Sequence, residues 1–307
     1  MDIFLQQIIN GLVQGSVYAL VALGYTMVYG ILGLINFAHG EVVMVGAMVA
    51  LMVIQTLLAA ALSPVLVLFL GVISAIGVCM ALGYSIERIA YRPLRHAPRL
   101  APLITAIGVS IVLQTLAMII WGREYHSFPQ LLPNNSHNIA GAIITEVQIA
   151  IVVVSIVVML GLMLLVHRTR LGRAMRAVAE NQAAASLMGV NINKVISTTF
   201  MLGSALAAVA GIMVSANYGV VHYYMGFILG LKAFTAAVLG GIGNLRGAML
   251  GGVLLGLIES LGAGYIGALT GGVLGSNYQD AFAFVVLIAV LIFRPSGLLG
   301  ERVPERA

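Results

Sequence analysis

The sequence predicts an all-α integral membrane protein, a polytopic bundle of about eight or nine transmembrane helices, some of them interrupted. Of its 307 residues, 61% are hydrophobic and only 8% are charged, whereas soluble domains carry roughly 25% charged residues. Several apolar runs reach the ~20 residues that cross a hydrocarbon core. Such runs are too long for the alternating strands of ~10 residues in outer-membrane barrels. We therefore expect one transmembrane domain over residues 1–307.

Apolar segments alternate with short polar or glycine-rich interruptions along the chain. The predicted spans are 3–32, 42–62, 65–86, 103–121, 147–166, 196–216, 226–242, a longer segment that includes 254–261, and 281–293. The interruptions at 33–41 and 240–252 lie within apolar sequence and predict broken helices. The segments give about nine membrane crossings, or about eight if one of the interrupted segments turns back inside the membrane. Residues 122–146, 217–225 and 262–279 are the expected external connections.

The basic residues predict the orientation of the chain. Of 15 Lys and Arg, four fall at 88–99, five at 168–194 and three at 294–306. Because Lys and Arg favour the cytoplasmic side, all three segments are expected there, with the N-terminus outside and the C-terminus inside. The net charge of +5 thus reflects topology and not nucleic-acid binding. The N-terminal residues lack the basic region of a secretory signal, so the first helix is expected to remain in the mature protein.

The polar loop at 168–195 has helical character. Leu171, Met175 and Val178 fall on one helical face. Asn181 is expected to cap a second short helix from Ala183 to Met188, which Gly189 ends in a left-handed turn. This pattern allows two interpretations: a docking element for a partner, or an amphipathic helix that lies on anionic lipid.

The polar residues of the first interruption are candidates for a translocation path or gate. Asn36, His39 and Glu41 lie in apolar surroundings, with Phe37 as an apolar plug, and ionisable groups at membrane depth usually face the bundle interior. The alternative is an interhelical hydrogen-bond knot or a position at the cytoplasmic interface, which the predicted orientation favours. Asn244 occupies the similar place in the second interruption, and the glycine and asparagine spacings of the two suggest an internal repeat.

Lys232 and Glu259 are opposite charges in neighbouring apolar spans. They either pair as a structural lock or act separately. We expect Lys232 to snorkel to the outer interface near Tyr223 and Tyr224, which leaves Glu259 without a role. Glycine pairs spaced four apart predict close helix contacts at 11/15, 226/230, 247/251 and 252/256.

No catalytic or metal-binding group is expected in this chain. The six His residues are scattered, and the single cysteine, Cys79, lies in an apolar run. The sequence has no G-x-x-x-x-G-K-[ST] phosphate loop. Any ATP that drives the protein must therefore bind to another subunit.

Four stretches resemble the LivH-type permeases, the membrane subunits of branched-chain amino acid ABC importers. They are RTRLGRAMRAVAEN at 168–181 with LMGV at 187–190, GYTMVYGILGLINFAHGE at 24–41, GLKAFTAAVLGGIG at 230–243 and FRPSGLLG at 293–300. Together they cover nearly the full chain in the order the family has.

The resemblance implies partners, location and substrate. A second, LivM-like permease, two cytoplasmic ATPase subunits that bind ATP and a periplasmic binding protein would complete the importer in the bacterial inner membrane. The implied substrates are branched-chain or other apolar amino acids, with urea or short amides as the alternative. A stand-alone secondary transporter would need intramembrane ion or proton sites, for which the sequence offers little, and the polar interruptions disfavour a structural scaffold.

The resemblance also implies that 168–195 is the coupling loop that docks on an ATPase. Its arginine-rich first half is expected to set topology at the membrane surface. The contact residues are expected to be Glu180, Asn181, Ala183, Ala184, Leu187, Met188, Gly189 and Val190. Two positions depart from the family pattern: Gln182 replaces a frequent Pro, and Asn244-Leu-Arg246 replaces Ser-x-Pro. Both leave the boundaries of the coupling helix and the local loop shape open.

Overall fold

A computed structural model describes residues 2–60, 62–95, 97–98, 100–271, 273 and 278–300. Its α-helices are α1 Asp2–Leu32, α2 His39–Leu58, α3 Pro64–Ile86, α4 Leu100–Trp121, α5 Glu146–Arg168, α6 Arg170–Glu180, α7 Gln182–Leu187, α8 Ile192–Tyr218, α9 Met225–Gly240, α10 Leu245–Leu269 and α11 Gln279–Phe293. A π-helix, Glu87–Tyr91, and a 3-10 helix, Arg92–Leu94, follow α3. The predicted basic residues Arg99, Arg302 and Arg306 lie outside the described residues.

The helices confirm a polytopic all-α membrane protein. Within the described ranges, seven helices are long and apolar enough to cross a membrane. The shorter apolar helices α9 and α11, with 16 and 15 residues, supply the remaining predicted segments. Backbone polar groups in lipid must be hydrogen-bonded within the protein, and an α-helix satisfies them all within one apolar segment.

Helix α1 lies at the centre of the bundle and packs closely on α10. Added Cβ atoms at Gly11 and Gly15 would collide with the α10 backbone, and those at Gly252 and Gly256 with the α1 backbone at Ala19 and Gly15. Lipid provides no hydrophobic drive between helices, so close backbone packing of small residues is what holds such a pair together. The close contacts predicted from the glycine spacing are confirmed here.

The three basic segments meet at one end of the bundle, which we call the basic end. Arg95 donates to Asn193 at the start of α8, the Gln182 side chain donates to the carbonyl of Ile31, and the amide of Leu298 donates to the carbonyl of Leu239. Helices α1, α3, α5, α9 and α11 therefore end there, and α4, α8 and α10 begin there.

The opposite end contains short β-structure that the sequence did not predict. Strands β1 His126–Ser127 and β4 Val220–Val221 pair across two connections. Strands β2 Ser136–Ile139 and β3 Ala142–Thr145 form a hairpin, so 122–146 is more than a polar connection. Its two turn residues, Ala140 and Gly141, both have positive φ, as tight hairpins require.

The hairpin leads directly into a helix. A capping box joins Thr145 and Gln148 at the start of α5, which satisfies two amide groups at the helix N-terminus. A second difference concerns the connection predicted at 262–279, because α10 continues as helix to Leu269. Glycine-rich sequence remains helical in this region because the glycines pack against other helices, as Gly262 does against Phe282.

Candidate functional site

The first interruption is a true break between α1 and α2. Gly33 adopts a left-handed conformation with φ of 63°, and the chain is irregular until His39. The His39 ring packs on Tyr25, with 4.8 Å between ring centroids, and occupies the space that a side chain at Gly24 would need. Since Gly24 lies eight residues before the end of α1, α2 begins roughly 12 Å inside the bundle from that end.

The candidate residues of this break lie at different depths. Asn36 lies nearer the basic end, where its Oδ1 accepts a hydrogen bond of 3.0 Å from the Tyr91 hydroxyl. Asn36, His39 and Glu41 are all buried. Phe37 packs on Phe234 of α9, with 5.7 Å between ring centroids. The break thus brings four of the five predicted path or gate residues into one buried region between α1, α2 and α9.

Glu41 joins this region to α4. Its Oε1 accepts hydrogen bonds from Gln114 Nε2 at 2.6 Å and from Ser110 Oγ at 3.2 Å. Sequence reasoning missed these two α4 residues. Their spacing of four, which places both on one helix face, was the available signal within an otherwise apolar span.

Beside Glu41 lies a cavity of about 250 Å³ between α4 and α9. Ser110 and Gln114 form its polar side. The remaining lining comes from Tyr25, Phe37, Ile107, Ile111, Tyr224, Gly226, Phe227, Gly230 and Leu231. The cavity is therefore mostly apolar with one polar corner, a common composition for small-molecule sites.

Asn244 lies at the second break and does not join the Glu41 region. Its Oδ1 accepts from the Gly247 amide at 3.1 Å and caps α10, and its Nδ2 donates to the Leu299 carbonyl at 2.8 Å. The amides of Leu298 and Leu299 donate to the last carbonyls of α9. The FRPSGLLG segment therefore closes the gap between α9 and α10, a role that the motif alone did not reveal.

A buried carboxylate connects the 87–95 segment to α8. Glu87 is fully buried, and its Oε2 accepts from Arg92 Nη2 at 2.8 Å and from Ser197 Oγ at 2.7 Å. Arg95 also donates to it. Sequence reasoning counted these arginines for topology only and overlooked Glu87. Tyr91 of the same π-helix donates to Asn36, so one short segment contacts both α8 and the first break.

The 168–195 loop folds as its sequence predicts. Met175 and Val178 of α6 are buried. Asn181 accepts from the Ala184 amide at 2.9 Å and caps α7, and Gly189 follows with φ of 83°. Leu187 and Met188, in contrast, are 89% and 85% exposed. Glu180, Asn181, Ala183, Ala184 and Gly189 are exposed too, and Val190 is half-buried.

The expectation that Lys232 snorkels to the interface is wrong. Lys232 is buried, and its Nζ lies 3.1 Å from Glu259 Oε2 and 2.6 Å from Asp280 Oδ1. The Tyr18 hydroxyl donates to the same Glu259 oxygen at 2.8 Å. Glu259 therefore joins an ion-pair cluster of α1, α9, α10 and α11. Pairing is favoured because a Lys232 side chain that extended to water would leave Glu259 buried without a cationic partner, which is strongly destabilising.

Two broken helices inside a polytopic bundle, with a helical loop at one end, are typical of a membrane transport protein. The sequence profile of the family described as "Branched-chain amino acid transport system / permease component" matches residues 7–291, and the chain belongs to this family. It is 50% identical to the Pseudomonas aeruginosa high-affinity branched-chain amino acid transport system permease protein BraD, over 99% of this chain and 98% of that protein. It is 46% identical to the corresponding LivH protein of Escherichia coli, over 99% and 97%.

Proposed function

We propose that this chain is the permease subunit of an ATP-driven importer that carries branched-chain, apolar amino acids across the bacterial inner membrane. Its likeness to the two high-affinity branched-chain amino acid permeases carries the proposal, because that likeness extends over 99% of the chain. The mostly apolar cavity beside Glu41 suits aliphatic side chains better than urea or short amides.

The importer would contain four further subunits. Two cytoplasmic ATPase subunits bind ATP, a second, LivM-like permease completes the membrane core, and a periplasmic protein delivers the substrate. Under this proposal the basic end faces the cytoplasm, since Lys and Arg concentrate on that side. The N-terminus is then periplasmic and the C-terminus cytoplasmic.

We infer that α7 and its flanks dock on an ATPase subunit. The support is the projecting tip, where large apolar side chains at Leu187 and Met188 are almost fully exposed. Apolar side chains that rise from a polar surface commonly mark interaction sites. The proposed contact set is Glu180, Asn181, Ala183, Ala184, Leu187, Met188, Gly189 and Val190.

Movement of the docked loop would reach the first break through Glu87. Helix α8 follows α7 directly, and Ser197 in its second turn binds Glu87. Tyr91 lies in the same π-helix as Glu87 and binds Asn36. We infer that Asn36, Phe37, His39 and Glu41 form the translocation path or gate. Asn244 would have a separate part, as the residue that holds the second break.

Reconstitution tests the proposed function. The complete complex in liposomes should take up labelled leucine only with ATP inside and the binding protein outside, and the loaded binding protein should stimulate ATP hydrolysis. Uptake of urea in place of leucine would contradict the substrate class. Uptake driven by an ion gradient without ATP would contradict the importer itself and support a secondary transporter.

Tyr91→Phe should weaken coupling without preventing assembly. The change removes one hydroxyl and leaves Asn36 Oδ1 buried without the hydrogen bond that it now accepts from Tyr91, a loss of about 1–3 kcal/mol. We expect leucine uptake per ATP hydrolysed to fall by roughly fivefold or more, since about 1.4 kcal/mol corresponds to tenfold. Tyr84→Phe, a half-buried tyrosine two turns earlier, is the control. If both variants take up the same amount of leucine per ATP hydrolysed, Tyr91 does not contribute to coupling.

A further inference from the structure

Glu41 has an unsatisfied oxygen in a buried position. The residue is 1% exposed, and Ser110 and Gln114 both donate to Oε1. Oε2 accepts no hydrogen bond from any residue that the structure describes. Buried polar atoms almost always have a partner, so this oxygen is poised for one that the described residues do not provide.

The missing partner is not a basic residue of the described part of the chain. The ion pairs among the described residues do not include Glu41. Lys232, on the helix that lines the cavity, is already bound to Glu259 and Asp280. A carboxylate at membrane depth is costly unless it is paired or serves a function. Its natural complement is a cation that enters from outside the fold.

The surroundings select the kind of cation. Calcium or magnesium would need about six oxygen ligands, and the described side chains that bind Glu41 are one hydroxyl and one amide, both already turned towards Oε1. Beyond this corner the cavity walls are mostly apolar, with Phe37, Ile107 and Leu231 among them. The cavity volume of about 250 Å³ exceeds the ~150 Å³ of an apolar protein cavity that accommodates benzene.

We propose that this cavity binds an aliphatic amino acid, with the ammonium group at the polar corner where Ser110 and Gln114 hold the Glu41 carboxylate and the side chain against the apolar walls between α4 and α9. Gly226 also lines the cavity, and a Cβ there would collide with the carbonyl of Gly40, so its lack of a side chain lets α9 pack closely on the start of α2 beside Glu41. Ser110 and Gln114 are positioning residues that hold the carboxylate by Oε1. The site rests on the proposed function and adds the group that recognises the substrate inside the membrane.

Leucine protection of a thiol tests the site directly. Ile107→Cys places a thiol on the cavity wall, and the chain's one natural cysteine, Cys79, is buried. In the assembled complex during turnover, leucine and isopentylamine should each slow labelling by a thiosulfonate reagent at least ~5-fold, whereas 4-methylpentanoate, which lacks the amine, should not. The control is Asn134→Cys in the exposed connection, whose labelling should be the same with and without each compound.

Glu41→Gln in the same background should abolish the protection. It should also lower leucine uptake at least ~10-fold while the loaded binding protein still stimulates ATP hydrolysis, which shows that the complex has assembled. Equal protection by 4-methylpentanoate, protection that survives Glu41→Gln, or an Ile107→Cys thiol that never reacts during turnover would each overturn the site. A complex without any ATP-dependent leucine uptake would instead contradict the proposed function, and normal uptake without protection would contradict the site alone.

Discussion

Lys232→Met should strongly destabilise the permease. The change leaves Glu259 fully buried without its cationic partner, and breaking a buried pair in this way costs about 3–5 kcal/mol. The cluster joins α1, α9, α10 and α11, so the loss should loosen several helices together. We expect a lower yield of monodisperse protein and a lower midpoint of thermal aggregation in detergent.

The double variant Lys232→Met with Glu259→Gln separates the charge from the packing. Removing the charges of Lys232 and Glu259 should recover much of the stability, since replacement of a whole buried ion pair is often nearly neutral and Asp280, the other partner of Lys232, is half-exposed and can be solvated. Lys194→Met, at an exposed residue of α8, is the control and should have the same midpoint of thermal aggregation as the wild type. The cluster is not a structural lock if Lys232→Met has the wild-type midpoint of thermal aggregation. The same holds if the midpoint of the double variant is no higher than that of Lys232→Met.

The Lys232 cluster also shows where sequence reasoning fails in this fold. Lys232 and Glu259 lie on either side of the second break, and hydropathy does not reveal which faces of two neighbouring spans meet. The nearby tyrosines made an interfacial position for Lys232 reasonable. Only the packed bundle places Tyr18 and Asp280 beside the pair, because that packing depends on contacts far apart in the chain.

The positions of the helices were predictable because lipid permits few alternatives. Apolar length defines the spans, and local rules define the loop, where Asn181 caps α7 and Gly189 ends it as predicted. The contacts of Glu41 with Ser110 and Gln114 were not predictable in the same way. They join positions about 70 residues apart, and a single sequence records no such pairing.

Leu187→Asp combined with Met188→Asp should abolish transport while the permease still inserts. Both side chains project almost fully from the tip of the 168–195 loop, and they touch little of their own fold. Large apolar anchors at the centre of an interface contribute about 2 kcal/mol or more each, which corresponds to roughly 30-fold in affinity. We expect at least ~100-fold weaker capture of the ATPase subunits by the purified permease and no ATP-dependent leucine uptake.

The conservative exchange Leu187→Met is the matched control and should retain capture and uptake. Gly189→Trp and Glu180→Arg test the edges of the contact. Gly189 has φ of 83°, so a side chain there strains the turn as well as filling space beside the partner. Intact assembly and uptake in both variants would show that the coupling contact lies elsewhere.

The same aspartate pair distinguishes ATPase docking from the lipid alternative. A loop that merely rests on anionic lipid relies on its arginines and on the apolar face of α6, but Met175 and Val178 on that face are already buried against the protein. The apolar surface that remains is the tip, where Leu187 and Met188 are almost fully exposed. If the loop served the membrane alone, the aspartates would reduce vesicle binding of the loop and leave ATPase capture unchanged. Under the docking proposal, capture and uptake are lost together.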